Sequence, residues 1–169
     1  MTTGPPRSSR LPPSLRRPTV VDACSLLNLY AAGPPLDDLA GLGVRFHVVP
    51  QVRKETLFIR GEGPGAPGRV PVDIETSVHD GEAASAAVAV AKGFTLLTDE
   101  ALARRVMAAR KYEHLLLTTA DVLKVWVVAA GVDADTLREM IRRIEQRASF
   151  TIQRNHPLKP WWDQAKGRV

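Results

Sequence analysis

Cysteine is almost absent from this chain of 169 residues, in which Cys24 is the single thiol. One cysteine excludes an internal disulfide framework and a zinc site built from several cysteines. Long apolar runs are also missing, because none reaches the roughly 18 residues that a membrane span needs. The N-terminus lacks the apolar segment of a secretory signal. We therefore expect a cytoplasmic protein that does not enter a membrane.

Acidic residues are missing from positions 1–18, which hold four arginines. A second basic stretch, 137–169, has eight lysines and arginines against three acids, whereas 19–136 has eleven basic and fifteen acidic residues. An ordinary solvated surface accounts for basic ends of this kind. The pattern is also typical of an acidic site that holds a cation, flanked by basic arms that attract a polyanionic substrate.

Composition divides the chain into three parts. Residues 1–18, rich in Pro, Ser and Arg, predict a leader that is disordered or loosely docked. Residues 19–153 alternate short β-branched or leucine-rich runs with helix-like runs, ending in a predicted strand, "SFTIQ". This alternation predicts an α/β domain with three layers, α/β/α, around a central, mostly parallel sheet. Residues 154–169 predict an irregular tail, whose paired tryptophans, Trp161 and Trp162, either stack on bases or pack the tail onto the domain or a partner.

Acidic residues occupy positions that favour a common site. Ligands of parallel sheets bind beyond the carboxyl ends of the strands, and Asp22 follows "TVV" while Asp99 follows "FTLLT". Glu82 lies at the start of an alanine-rich helix, and Glu55 lies in the helix after the second strand. Each residue also has a purely structural interpretation, such as a helix N-cap for Asp22, Asp99 or Asp80.

A cation is the natural partner of such a group. Clustered carboxylates repel one another, and a divalent cation removes the repulsion. Oxygen ligands without Cys or His favour Mg²⁺ or Mn²⁺. Either ion activates water and stabilises negative charge during displacement at phosphorus. The pattern therefore indicates phosphodiester chemistry.

The order of the motifs resembles the PIN-domain ribonuclease family. "TVVDACSLLN" is similar to its first motif and "VPQVRKETL" to its second. "DGEAASAAVAVAKGFTLLTDEALARRVMAAR" is similar to a toxin-like branch in which "GEA" opens a helix and a strand ends in an acidic pair. "LLLTTADVLKVWV" is similar to the strand and helix that follow. The resemblance covers roughly residues 19–152; the long Gly/Pro-rich loop 61–73, the leader and the tail depart from it.

The resemblance implies a PIN-like fold and metal-dependent endonucleolytic cleavage of RNA by a metal-activated water. The catalytic and metal-binding residues that it implies are Asp22, Glu55, Glu82 and Asp99. The supporting residues that it implies are Ser25, Asn28 and Asp80. Asp80 is the alternative to Glu82 as a direct ligand, and whether Glu100 shares the metal stays open. The implied cofactor is Mg²⁺ or Mn²⁺, and the implied partners are an RNA substrate, a small antitoxin protein and a second copy in a homodimer.

Several arginines on predicted helices are candidate RNA contacts, although ordinary surface positions fit them as well. These are Arg104, Arg105, Arg142 and Arg143. The four histidines show no ligand spacing and are assigned no role.

The alternative function is a non-catalytic PIN-like module that binds RNA or protein; four intact acids argue against it. A dehalogenase-like phosphatase requires a second Asp at position 24, which is Cys24 here. A receiver domain requires a lysine at the end of a late strand, and "HLLLTTADVLK" has none there. A phosphate-binding loop requires a GK[ST] step, which "GEGPGAPG" lacks.

Overall fold

A computed structural model of the chain describes residues 11–55 and 81–167, apart from the side chains of Lys54 and Glu55. The predictions made for residues 56–80, which include the Gly/Pro-rich loop and the N-cap role of Asp80, lie outside this part. The helices of the described part are α1 (Pro13–Arg16), α2 (Ala23–Ala32), α3 (Pro34–Gly41), α4 (Pro50–Glu55), α5 (Gly81–Lys92), α6 (Ala101–Ala109), α7 (Thr119–Ala130), α8 (Ala134–Arg147) and α9 (Lys159–Ala165). The strands are β1 (Thr19–Val21), β2 (Phe46–His47), β3 (Thr95–Leu97) and β4 (Leu116–Leu117).

The four strands form one parallel sheet in the order β2-β1-β3-β4. In its centre Thr19 pairs with Thr95, and Val21 pairs with Leu97. All residues of β1 and β3 are buried, as expected for parallel strands covered on both faces by helices. The predicted α/β fold with a central parallel sheet is therefore confirmed.

The strand order creates a crevice between β1 and β3. The next strand along the chain, β2, pairs with one edge of β1, whereas β3 pairs with the other edge. Helices that leave such neighbouring strands in opposite directions open a gap at their carboxyl ends, where open α/β sheets bind ligands. Asp22 follows β1 directly, and Asp99 lies two residues beyond β3.

Local sequence signals explain where the main helices begin and end. Asp22 caps α2, which ends at Gly33 with a φ of 89°. Thr118 caps α7 through a capping box with Asp121, and Gly131 ends α7 in the left-handed conformation. No helix among the described residues has both the length and the apolar character that crossing a bilayer requires.

Residues 11–18 of the basic leader pack on the domain, which differs from the prediction of a disordered leader and agrees with the alternative that it docks. Leu11 and Leu15 are buried in the core, and Leu15 belongs to α1. Thr95 at the start of β3 donates its hydroxyl to the Ser14 carbonyl at 2.6 Å and its amide to the Pro18 carbonyl at 2.9 Å. The burial of two leucines and the hydrogen bonds from Thr95 together hold this segment on the domain.

The C-terminal segment also differs from its prediction. Residues 149–153, the predicted last strand, lie outside the sheet, although Ile152 is buried in the core. The tail contains α9, and its Trp162 is 1% exposed and stacks edge-on against Phe150 at 5.9 Å between ring centres. Lys166 pairs with Glu145 of α8. The apolar surface of Trp162 therefore fixes the tail to the domain.

Substituting Leu15 with alanine tests the docking of the leader. Leu15→Ala should lower the free energy of unfolding by about 2–5 kcal/mol, because it leaves a cavity in the core. Urea denaturation followed by circular dichroism measures this change. Arg17→Ala is the matched control, since its exposed side chain should contribute within about 0.5 kcal/mol. Equal stabilities of the two variants would contradict the docking of α1.

Candidate active site

The carboxylate of Asp99 is the most strongly hydrogen-bonded side chain in the crevice. Its Oδ2 accepts hydrogen bonds from Asn28 Nδ2 at 2.9 Å, from Ser25 Oγ at 3.2 Å and from Thr119 Oγ1 at 2.5 Å. Its Oδ1 accepts one from the Thr119 amide at 3.0 Å. The donors belong to the first two turns of α2 and the first turn of α7, so the carboxylate is fixed between two helices.

Ser25 and Asn28 reach Asp99 because of their spacing on α2. Residues three apart lie on the same face of a helix, and both side chains are buried. The sequence-based prediction that these two residues face the same cavity as the acids is consistent with this geometry. Both side chains donate hydrogen bonds to Asp99 Oδ2, and the side chain of Ser25 also acts on the neighbouring Asp22, whose pKa it lowers.

Asp22 combines a structural role with a buried charge. Its Oδ1 accepts a hydrogen bond from the Ser25 amide at 2.7 Å and so caps α2. Its Oδ2 is buried and has no hydrogen-bond partner. Burial raises the pKa of Asp22 to about 6, and the charge of Asp99 adds to the rise, while the side chain of Thr98 and the amide and side chain of Ser25 oppose it. An unpartnered carboxylate oxygen at this position favours a cation or a proton as its partner.

A second acid, Glu100, extends the negative charge of the crevice toward Cys24. The Cys24 thiol donates to Glu100 Oε1 at 3.6 Å. Partial burial raises the pKa of this thiol to about 12, and the charges of Asp22, Glu100 and Glu82 contribute to the rise. The pKa of Cys24 is therefore raised by three acids that come from three separate segments of the chain.

A cleft of about 420 Å³ opens beside Asp99. Its lining includes Cys24 and Asn28 of α2, Glu100, and Arg104 of α6. The segment 148–153, His156 and the start of α7 complete the lining. Asp22 is 2% exposed and lies outside this lining. Of the acids discussed above, Asp99 and Glu100 are therefore the two that line the cleft.

The other predicted acids are placed less centrally. Glu82 is exposed in the first turn of α5, and its charge acts on Cys24. Glu55 is the last residue of α4, and the structure describes its backbone but not its side chain. Asp80 lies outside the described residues. Among the described side chains, no group of three His, Cys, Asp or Glu residues is arranged to hold a metal ion. The described part therefore brings Asp22 and Asp99 to one crevice and does not assemble the four predicted ligands.

The four candidate arginines fall into two groups. Arg104 lines the cleft, and its neighbour Arg105 is exposed on α6. Arg142 and Arg143 are exposed on α8, where both form ion pairs with Glu139, at 2.8 and 3.1 Å. Arg104 is thus the candidate that lies within reach of a ligand bound next to Asp99.

Sequence reasoning assigned no role to three residues that contact the site. Thr119 holds Asp99, Thr118 caps the same helix, and His156 packs against Thr118 at the cleft wall. The two threonines follow β4, so the argument applied to the ends of β1 and β3 also points to them. His156 had no comparable signal, because it reaches the cleft through the path of the tail.

Comparisons with known proteins add no family to this description. No family model matches the chain, and searches of curated proteins and of solved structures gave no significant match.

Replacing Asp22 with asparagine should stabilise the protein at neutral pH. The folded state holds the pKa of Asp22 at about 6, above its ordinary value of 3.8, so ionisation between these values costs stability as the pH rises. Asparagine removes the buried charge and is an equally good N-cap. We expect the two proteins to be equally stable near pH 4, and Asp22→Asn to be more stable by roughly 2–3 kcal/mol above pH 6, at 1.36 kcal/mol per pKa unit.

Urea denaturation in EDTA at a series of pH values measures this difference. Asp133→Asn is the matched control, because Asp133 is an exposed N-cap whose pKa is lowered by hydrogen bonds to Thr136. A stability difference between Asp22→Asn and the wild type that does not change with pH would show that Asp22 ionises normally.

The reactivity of Cys24 reports on the negative charge of the crevice. Glu100→Gln removes one charge that raises the pKa of the thiol, so alkylation by iodoacetamide at pH 8.5 should become faster, by about tenfold for each unit by which the pKa falls. The single cysteine makes the labelled site unambiguous in mass spectrometry. Glu113→Gln, a change at an exposed and distant acid, should leave the rate unchanged. Equal rates in both variants would place Glu100 outside the environment of Cys24.

Proposed function

We propose that this protein is a metal-dependent endoribonuclease that hydrolyses RNA phosphodiester bonds. The observation that carries the proposal is the buried and unpartnered Oδ2 of Asp22 in the crevice that also holds Asp99. An oxygen atom that is negatively charged, buried and without a hydrogen-bond donor is costly in the folded protein. A function that supplies a positive charge at this point explains why the acid is retained.

The acids of the crevice suit Mg²⁺ or Mn²⁺. Both ions prefer oxygen ligands, and Mg²⁺ is usually held by only one or two carboxylates together with water and substrate phosphates. Asp22 and Asp99 would supply such a pair. Glu55 and Glu82, with Asp80 as the alternative, remain predicted ligands from the sequence. When bound, the ion lowers the pKa of a coordinated water and stabilises negative charge at phosphorus.

The surrounding side chains have defined tasks in this proposal. Ser25, Asn28 and Thr119 orient the Asp99 carboxylate, since each donates a hydrogen bond to it. Arg104 supplies positive charge at the cleft, where a phosphate would lie next to the acids. The cleft volume of about 420 Å³ lies within the range of small-molecule sites, so it suits one nucleotide of a longer strand.

RNA as substrate, a small antitoxin and a homodimer follow from the resemblance to PIN-domain ribonucleases, and a cytoplasmic location is the expectation from composition. We retain them as part of the proposal. The basic leader and α8 agree with a polyanionic partner, although Arg142 and Arg143 are partly neutralised by Glu139.

A cleavage assay on fluorescently labelled single-stranded RNA tests the proposal. We expect cleavage with Mg²⁺ or Mn²⁺ and none with excess EDTA. Asp22→Asn should abolish cleavage while keeping the protein folded, because asparagine retains the cap of α2. Asn28→Ala should reduce the rate by about 10–100-fold, the usual cost of losing an outer-shell contact. Cleavage that persists in EDTA or in Asp22→Asn would refute the mechanism, and RNA binding without any cleavage would favour the non-catalytic alternative.

The arginines provide a matched comparison. Arg104→Ala should raise KM, because Arg104 lines the cleft, whereas Arg142→Ala should leave KM near the wild-type value, because Arg142 is paired with Glu139 on α8. Steady-state kinetics at constant ionic strength separates the two variants. The opposite order would locate the RNA path on α8.

A further inference from the structure

His156 is a buried polar side chain that the proposed reaction does not use. It is 8% exposed and lines the cleft together with Asp99 and Thr118. It lies in the turn that precedes α9, where the Lys159 amide donates to the His156 carbonyl at 2.9 Å. The ring thus connects the C-terminal segment to the wall of the site.

The hydrogen bonds of the ring define its protonation. The Leu158 amide donates to Nδ1 at 3.0 Å, so Nδ1 is an acceptor and carries no proton. Nε2 lies 3.0 Å from Thr118 Oγ1 and therefore carries the proton of the neutral ring and donates it to the hydroxyl. Burial lowers the pKa of His156, in agreement with a neutral ring. Both nitrogens are occupied, so His156 is not free to accept a proton from a reacting group.

The hydroxyl that receives this bond is the cap of α7. Thr118 Oγ1 donates to Asp121 Oδ2 at 2.6 Å and accepts from the Asp121 amide at 3.2 Å. With the bond from His156, the hydroxyl has one donated and two accepted hydrogen bonds, which is its full capacity. Its rotation is therefore fixed by His156 and Asp121 together.

The next residue transmits this constraint to the acid. Thr119, the first residue of α7, donates both its amide and its hydroxyl to Asp99. We propose that His156 is a positioning residue: through Thr118 it fixes the first turn of α7, and through Thr119 it fixes the carboxylate of Asp99. This inference rests on the proposed function for the chemical task of Asp99, but the mechanical link stands on the hydrogen bonds alone.

Two substitutions separate the contact made by Nε2 from the contact made by Nδ1. Glutamine places an amide NH₂ near the position of Nε2 and can still donate to Thr118. Asparagine places a carbonyl oxygen near the position of Nδ1 and can still accept from Leu158, but it does not reach Thr118. His156→Gln therefore keeps the contact with the site, and His156→Asn keeps the contact with the tail.

Hydrogen exchange of the Thr119 amide, followed by NMR without metal or RNA, measures whether His156 stabilises the hydrogen bond from this amide to Asp99. The amide should exchange about five- to tenfold faster in His156→Asn than in His156→Gln, the factor expected for one lost hydrogen bond. Trp162→Phe, which loosens the tail by removing the contact with Glu145, is the control and should leave Thr119 unchanged. Equal exchange in the two histidine variants, or faster exchange in Trp162→Phe than in His156→Asn, would overturn the proposal.

The wild-type protein provides a measurement that needs no variant. Long-range ¹H–¹⁵N spectra of the histidine rings at pH 7.5 should show His156 with the proton on Nε2, and a proton on Nδ1 would overturn the proposal. Affinity for Mn²⁺ alone should also be lower in His156→Asn than in His156→Gln. If the wild type neither binds Mn²⁺ nor cleaves RNA, the proposed function fails, while exchange at Thr119 still decides the positioning role.

Discussion

The carboxylate of Asp99 joins parts of the molecule that are far apart in the sequence. Donors from α2 and from α7 meet on its two oxygens, and they do so only because β1, β3 and β4 lie side by side in one parallel sheet. The helices that follow β1 and β4 point their first turns at the same edge of this sheet. The hydrogen bonds on Asp99 therefore depend on strand register, helix phase and the capping of α7 at the same time.

Asp22 shows the opposite situation, because it has fewer partners than its burial requires. One oxygen caps α2, and the other has no donor. The cap makes the residue useful to the fold, but an asparagine would serve that purpose without the cost of a buried charge. The charge itself is therefore better explained by the function of the crevice than by the stability of the domain. Its position beside Asp99 agrees with the divalent cation that we propose.

Sequence reasoning predicted the parts of the structure that local patterns determine. The runs that end in Asp22 and Asp99 had the residue types of buried parallel strands, and the spacing of Ser25 and Asn28 fixed their common face. The helices of the leader and the tail were not predicted, because single residues such as Leu15 and Trp162 decide where these segments dock, and composition alone does not identify them. His156 could not be found by pattern, since its contact with Thr118 joins residues 38 positions apart through an irregular segment.

The way in which Asp99 is held has a consequence for the synthesis of the chain. Donors to its carboxylate come from residues 25 to 119, and the network behind them extends to His156. A nascent chain that has emerged only as far as Asp99 contains both aspartates but lacks Thr119, and therefore lacks two of the donors on the carboxylate. The crevice reaches its final geometry only after β4 and α7 have left the ribosome and the C-terminal segment has folded back on them. The hydrogen-bond network around Asp99 is thus completed late in translation, after most of the chain has been synthesised.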